Sequence, residues 1–147
     1  MKIALGSDHA GLHLKNEIIS HLSGKGFELE DFGTYTENSC DYPDYAELVA
    51  NDVAKGGSDL GILICGTGIG ISIAANKVKG IRAALCGDTF SAHASREHND
   101  ANILALGARV TGTGLALDIV DTFLSAQFMH GRHQRRIEKI SKLEGKQ

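Results

Sequence analysis

The chain has 147 residues, 42% hydrophobic and 22% charged, which is typical of one soluble domain with its own core. Its apolar stretches fall short of the ~20 residues that span a bilayer, and its amino-terminus turns glycine-rich too early for a signal peptide, so we expect a cytoplasmic protein. The net charge of −3 divides into +4 over residues 131–147 and −7 elsewhere, and only eight residues are aromatic, which argues against a nucleic-acid-binding protein.

The first part of the chain alternates strand and helix signals. Residues 2–5 form a short apolar strand that runs into a glycine-bearing turn, where Ser7 or Asp8 can cap a helix. That helix stops at a glycine signal over 24–26. Its apolar face comprises Leu14, Ile18, Ile19 and Leu22. The alternating residues 27–32 predict a second strand.

The middle of the chain continues the alternation. A second helix is predicted over 41–55, with Pro43 in its first turn. Its apolar face comprises Leu48, Val49 and Val53. Residues 60–65 form a continuous apolar run, which is typical of a central parallel strand covered on both faces.

The remaining elements complete one α/β domain over 1–147. They are a helix over 70–78, a strand over 81–86, a helix capped by Asp88 or Thr89, a strand over 103–106, and a helix with apolar Ala116, Ile119, Val120, Phe123 and Leu124. Five strands separated by helices predict a parallel sheet with helices on both sides. The basic stretch 131–147 is predicted as a last helix that packs away from the main body, with Arg132 and Arg136 on one face, where they can grip one phosphate.

A glycine-rich turn follows the third strand, at the end of a sheet where ligands bind in open α/β folds. Its residues are Gly66, Thr67, Gly68, Ile69 and Gly70. The turn leaves successive backbone N–H groups uncovered at a helix start, which stabilises a phosphate or a developing oxyanion. It has neither G-x-G-x-x-G nor P-loop spacing, so a nucleotide site is disfavoured. Close packing of helix on strand is the structural alternative.

Cys65, directly before this turn, admits two interpretations. Helix amino-termini favour a thiolate, which suits a base or a nucleophile. Cysteine is also among the most buried residue types, which suits a small core residue. A thiol-redox protein is disfavoured because Cys65 has no resolving cysteine nearby. Cys40 and Cys86 are assigned structural or incidental roles.

Two histidine pairs have the spacing of metal ligands on a helix. They are His9 with His13 and His130 with His133. Neither pair is completed by a cysteine or carboxylate in a usual pattern, so we predict no metal.

Five motifs, in order along nearly the whole chain, carry a resemblance. They are G-S-D-H-A-G, D-Y-P-D-Y-A, I-L-I-C-G-T-G-I-G-I-S-I-A-A-N-K, R-E-H-N-D-A-N and G-R-H-Q-R-R. With them the sequence resembles the type B ribose-5-phosphate isomerases and their sugar-phosphate isomerase relatives. The resemblance implies a Rossmann-like three-layer α/β/α fold and an aldose–ketose isomerase of the non-oxidative pentose phosphate pathway. It also implies catalysis without metal or cofactor and a homodimeric or homotetrameric assembly.

The resemblance assigns roles by position. Cys65 matches the base that moves a proton between C2 and C1, Thr67 lies beside it, and the backbone of Gly66–Gly70 matches the hole for the enediolate. His98 matches the residue that opens the furanose ring. The other matches contact hydroxyls or orient them, at Asp8, Tyr42 and Asn99, or surround the phosphate, at His9, Arg109, Arg132 and Arg136. Ile71 stands where one branch of the family has a glutamate base, so this sequence resembles the cysteine branch.

Several alternatives stay open. Relatives that act on allose 6-phosphate or galactose 6-phosphate share much of the pattern, and a non-catalytic sugar-phosphate-binding protein would share the fold. We also expect active sites shared between subunits, with His98 reaching the Cys65 of a second chain. The last helix would then bury Ile137, Ile140 and Leu143 on its neighbour.

Overall fold

A computed structural model describes residues 1–145 of the chain. The strands of these residues are β1 (Lys2–Ser7), β2 (Glu28–Asp31), β3 (Leu60–Cys65), β4 (Ala83–Leu85) and β5 (Ile103–Gly107). Their α-helices are α1 (Leu12–Leu22), α2 (Tyr42–Ala54), α3 (Ile69–Ala75), α4 (Thr89–Asn99), α5 (Thr113–Ser125) and α6 (Arg132–Glu144). A short 3-10 turn, His9–Gly11, joins β1 to α1.

The strands form one sheet in which every neighbouring pair is parallel. Their order is β2-β1-β3-β5-β4. Helices α1, α4 and α5 pack on one face, and α2 and α3 pack on the other. The predicted α/β fold, with a five-stranded parallel sheet between helical layers, is confirmed.

Strand β3 lies at the centre of the sheet, and all six of its residues are buried. Ile62 and Ile64 pack into the layer that contains α1 and α5, whereas Leu63 and Cys65 pack into the layer that contains α2 and α3. Successive side chains of a strand point to opposite faces, so a strand covered on both sides needs apolar residues at every position.

The strand order reverses between β1 and β3, because the chain leaves β1 toward β2 and later returns past β1 to form β3. At such a switch point the two following loops diverge and leave a crevice at the carboxyl edge of the sheet, where the strands end. Ser7 ends β1 and Cys65 ends β3. The residues that follow them therefore lie beside one crevice.

Short polar side chains fix several element ends. The Asp88 carboxylate accepts a hydrogen bond from the amide of Ser91 (2.7 Å) and caps α4 as predicted. The Asp8 carboxylate accepts one from the amide of Gly11 (3.0 Å), but it caps the 3-10 turn that precedes α1, and α1 itself follows Gly11 without a side-chain cap. Helix α3 ends earlier than predicted, because the side chain of Asn76 donates to carbonyls of α3 and β4 (2.9 Å each) and draws the chain into the next strand.

The prediction for the apolar face of α2 was wrong at one position. Val49 and Val53 are buried, but Leu48 is 48% exposed. Adjacent residues of a helix are about 100° apart around its axis, so Leu48 cannot share the centre of a face with Val49.

Helix α6 packs against α4 through only part of its surface. His133 and Ile137 are buried, whereas Ile140 and Leu143 are 41% and 60% exposed. An apolar stripe near the carboxyl end of α6 is therefore left uncovered by its own chain. The last two residues of the predicted basic helix, 146–147, lie outside the described residues.

Candidate active site

The glycine-rich turn holds Cys65 beside a row of backbone amides. The amide of Gly68 donates to the sulfur of Cys65 (3.1 Å), and the amide of Ile69 donates to Oγ1 of Thr67 (3.3 Å). Gly68 has a φ of +77°, and a Cβ atom there would lie 2.9 Å from the main chain of Leu106. Only glycine fits this position, so the turn can close and keep the thiol at the crevice.

Two side chains rest directly on the turn. A Cβ atom on Gly66 would lie 3.3 Å from Nη1 of Arg109, and one on Gly70 would lie 2.5 Å from Cζ of Tyr42. Asp8 lies close by, because its amide donates to a carbonyl near the end of β3 (3.3 Å). The carboxyl edge thus combines a thiol, backbone donors, a carboxylate, a phenol and a guanidinium.

His9 has its tautomer set by the backbone. The amide of Cys40 donates to Nδ1 of His9 (3.2 Å). An amide N–H can only donate, so Nδ1 is the acceptor and the neutral ring carries its proton on Nε2. Nε2 is then the nitrogen with a proton to offer an anion.

The loop between β2 and α2, which carries Cys40, is anchored by a buried lysine. Lys15 is fully buried, pairs with the carboxylate of Asp31, and donates to the carbonyl of Thr34 (2.8 Å). The amide of Thr34 in turn donates to the carbonyl of Ser7 at the end of β1 (2.7 Å). Lys15 therefore ties the start of this loop to the strand that precedes Asp8 and His9.

His98 and Asn99 lie at the amino edge of the sheet, the edge opposite to the crevice. Helix α4 starts after the carboxyl end of β4 and runs back to the edge where β5 begins. Its eleven residues span about 16 Å. Arg82 is the residue before β4, and its Nε donates to the carbonyl of Asn99 (3.0 Å). The structure does not bring His98 and Cys65 of one chain together.

A double ion pair holds this end of α4. Asp100 follows the helix with a φ of +45°. One carboxylate oxygen accepts from Arg82 and the other from Arg96, at 3.0 Å each. The carboxyl end of α4 is therefore fixed to the strand beside it.

The imidazole of His98 stacks on that of His133, the second residue of α6. The ring centroids are 4.4 Å apart and the planes differ by 8°. Arg132 and Arg136, both exposed, flank His133 on the same helix. Burial lowers the pKa of His133, and the positive charges of His98, Arg132 and Arg136 lower it further.

We expect the free energy of unfolding to decrease as the pH falls through about 6.5, the ordinary pKa of histidine. The pKa of His133 is lowered in the folded chain, so the unfolded chain takes up a proton first and acid favours unfolding. Urea unfolding at about pH 5.5 and 7.5 measures the loss. The His133→Phe variant should lose less stability than the unsubstituted protein over this interval, and an equal loss in both would contradict the prediction.

The sequence-predicted residues thus form two groups. At the carboxyl edge lie Asp8, His9, Tyr42, Cys65, Gly66, Thr67, Gly68, Ile69, Gly70 and Arg109. At the amino edge lie His98, Asn99, Arg132 and Arg136. A cavity of about 300 Å³ opens beside Thr67 and Ile69 in the first group.

Sequence reasoning missed Lys15 and Asp100, and it considered His133 only as a metal ligand. Lys15 had a usable signal, because it lies three residues before Ile18 and seven before Leu22, on the apolar face of α1. A lysine on such a face is buried only when it is paired. The i, i+4 spacing of Arg96 and Asp100 is a local signal for one of its two ion pairs, but no local pattern links Asp100 to Arg82, which lies before β4.

Within residues 1–145, no group of three His, Cys, Asp or Glu side chains is arranged to hold a metal ion. The helices of this part of the chain all lack the combination of length and apolar character needed to cross a membrane.

Comparison with known proteins gives a consistent result. Residues 3–140 match the family model described as Ribose/Galactose Isomerase. Ribose-5-phosphate isomerase B of Escherichia coli (strain K12) is 56% identical over 143 residues, which cover 97% of this chain and 96% of that protein.

Solved structures match over the same extent. The structure of Clostridium thermocellum ribose-5-phosphate isomerase B has a TM-score of 0.98 and 60% identity, with 99% of both chains covered. That of ribose-5-phosphate isomerase B from Mycoplasma genitalium, with bound ribulose-5-phosphate, has a TM-score of 0.95 and 49% identity, with 99% of this chain and 97% of that chain covered.

Proposed function

Because the chain belongs to the ribose/galactose isomerase family, we propose that it interconverts D-ribose 5-phosphate and D-ribulose 5-phosphate. The observation that carries this proposal is the buried thiol of Cys65 at the switch point, beside a glycine-rich turn whose Gly68 amide donates to the sulfur. A relative of 49% identity has been solved with bound ribulose-5-phosphate, which supports the same substrate pair for this chain.

We assign Cys65 as the base. In the open-chain aldose, its thiolate removes the proton from C2, the C2 electrons form the C1–C2 double bond, and the carbonyl electrons move to O1. The thiol then returns the proton to C1 while the proton on O2 passes to O1, so that O1 becomes a hydroxyl group and O2 becomes the ketone oxygen. The intermediate enediolate carries charge on O1 and O2, and the amides of the turn over Gly66–Gly70 are fixed donors for it.

Ring opening needs a group that donates and accepts protons near neutral pH, which is the ordinary property of histidine. We assign this step to His98, with Asn99 beside it and with Asp8 and Tyr42 oriented toward the sugar hydroxyls. His98 lies at the amino edge of its own chain, so it serves the crevice of a second subunit.

The phosphate lies between positive groups of both subunits in this proposal. His9 and Arg109 belong to the carboxyl edge of one chain, and Arg132 and Arg136 belong to the amino edge of the other. Contacts remote from the reacting carbons hold the flexible open chain in register, so phosphate binding contributes to catalysis as well as affinity.

We infer a homodimer, alone or as half of a homotetramer, in which two chains complete two sites. Both edges leave apolar side chains in water when the chain is alone: at the carboxyl edge Ile69 is 53% exposed, Phe90 70% and Val110 72%, and on α6 Leu143 is 60% exposed. A two-fold axis can cover such surfaces reciprocally. The enzyme is proposed to be cytoplasmic and to need no metal or cofactor.

The direct test is turnover of ribose 5-phosphate by the purified protein after removal of metal ions with EDTA. We expect full activity, and a kcat/KM for ribose 5-phosphate at least about tenfold above that for allose 6-phosphate, since an extra carbon costs about 1–3 kcal/mol in a fitted site. Binding of ribose 5-phosphate without turnover would identify a sugar-phosphate-binding protein instead. Preferential turnover of allose 6-phosphate would identify the protein as a hexose-phosphate isomerase.

A further inference from the structure

The stack of His98 on His133 has geometry that ring opening by one histidine does not require. The two imidazoles are nearly parallel, at 8°, with centroids 4.4 Å apart. His133 is only 6% exposed, whereas His98 keeps part of its surface in water. One face of the His98 ring is therefore covered by its own chain.

Backbone hydrogen bonds hold the segment around His133 against α4. The amide of His133 donates to the carbonyl of His130 (3.1 Å), which closes the first turn of α6. The amide of Met129 donates to the carbonyl of Glu97 on α4 (3.0 Å). The segment that leads into α6 is thus attached to α4 one residue before His98, so the two rings have little freedom to separate.

We propose that His133 is a positioning residue for ring opening, a flat platform that fixes the plane of the His98 imidazole where it enters the second subunit's site. The inference rests on the proposed function, because it acts through His98. Proton transfer to the furanose oxygen requires that a nitrogen at the edge of the His98 imidazole points at that oxygen. A ring stacked on the face of this imidazole limits its tilting and leaves the nitrogen at its edge free to reach the sugar.

Charge is consistent with this role. The groups that act on His133 are His98 on α4 and Arg132 and Arg136 on α6, and all three, together with burial, lower the pKa of His133. His133 therefore stays neutral near pH 7. A neutral platform lets His98 gain and lose a proton without placing two positive rings face to face.

Two substitutions of His133 distinguish the effect of its planar ring from the effect of its titratable nitrogens. His133→Phe keeps a planar ring and removes titration, whereas His133→Ala removes the ring. We expect kcat for ribose 5-phosphate to stay within about threefold of the unsubstituted protein in His133→Phe and to fall about tenfold or more in His133→Ala, because small misplacements of catalytic groups are costly. Should His133→Ala fail to fold by circular dichroism, His133→Leu fills the volume without a plane and replaces it.

Hydrogen exchange at C1 of ribulose 5-phosphate in D2O distinguishes a positioning role from a merely structural one, because general damage to the site would slow this exchange and loss of ring opening would not. This exchange uses the Cys65 step and needs no ring opening. It should stay within about threefold of the unsubstituted rate in all variants, including His98→Asn as the reference for lost ring opening. Equal losses of turnover and exchange in His133→Ala would overturn the inference and indicate general damage.

A second readout needs no substrate. The His98 ring protons should show an upfield NMR shift from the stacked ring, retained in His133→Phe and lost in His133→Ala. If the unsubstituted protein does not turn over ribose 5-phosphate, the proposed function fails and the positioning role fails with it. If turnover is normal, His98→Asn is slow and His133→Ala is fully active, only the inference about His133 is wrong.

Discussion

Replacing Cys65 with alanine should lower kcat for ribose 5-phosphate by at least ~100-fold and leave KM nearly unchanged. The substitution removes the proton acceptor. The backbone of the glycine-rich turn and the side chains of Arg109 and Tyr42 should stay in place. Because the lost group acts on the reacting carbon and not on the phosphate, the effect should fall on the chemical step. Steady-state kinetics in both directions measure it.

Cys86 provides the matched control. Its thiol is also buried and belongs to the core cluster on the α1 and α5 side of the sheet. Burial raises the pKa of Cys86, which keeps it protonated and unreactive. Cys86→Ala should therefore stay within about threefold of full activity. Near-normal turnover by Cys65→Ala would remove Cys65 as the base.

Mixing two inactive variants should restore activity if the active site is built from two chains. Cys65→Ala removes the base from the carboxyl edge of one chain, and His98→Asn removes the ring-opening group from the amino edge of the other. After joint unfolding and refolding, random pairing makes about half of the dimers mixed, and each mixed dimer has one intact site, so activity should recover to roughly a quarter of the unsubstituted level. Turnover of ribose 5-phosphate before and after mixing measures the recovery.

Native mass spectrometry supplies the control for pairing, because the two variants differ in mass. Each variant refolded alone should remain inactive. If mixed dimers form and show no activity, His98 and Cys65 act within one chain and the shared site is wrong. That outcome would also require α4 to rearrange, since it separates the two residues to opposite edges of the sheet.

Periodicity predicted the elements well because burial on one or both faces leaves a direct pattern in the sequence. The run over β3 is apolar at each position because helices cover both faces of that strand. Boundaries were less predictable where a side chain reaches across elements, as Asn76 does from the end of α3 to β4. The five motifs predicted the isomerase family, and the family match confirms it.

The candidate site was predictable only in part. The turn after Cys65 could be located, because parallel strands end at one edge and ligands bind there. The position of His98 along the chain could not assign it to the active site, because a residue just before β5 lies at the amino edge of the sheet, opposite to the edge that carries Cys65. Its assignment came from the family resemblance and still depends on the mixing experiment. The stack with His133 joins two helices distant in sequence, and no local pattern encodes it.

The placement of Cys65 and His98 at opposite edges of one sheet has a genetic consequence. In a two-fold dimer with shared sites, a chain that lacks only one of the two residues inactivates one site and leaves the other intact. An allele without Cys65 and an allele without His98 should therefore complement each other. An allele that lacks both Cys65 and His98 takes one necessary residue from each site of a mixed dimer. If the sites are shared as proposed, such an allele should be dominant negative over the intact one, because its product still folds and pairs with the intact chain.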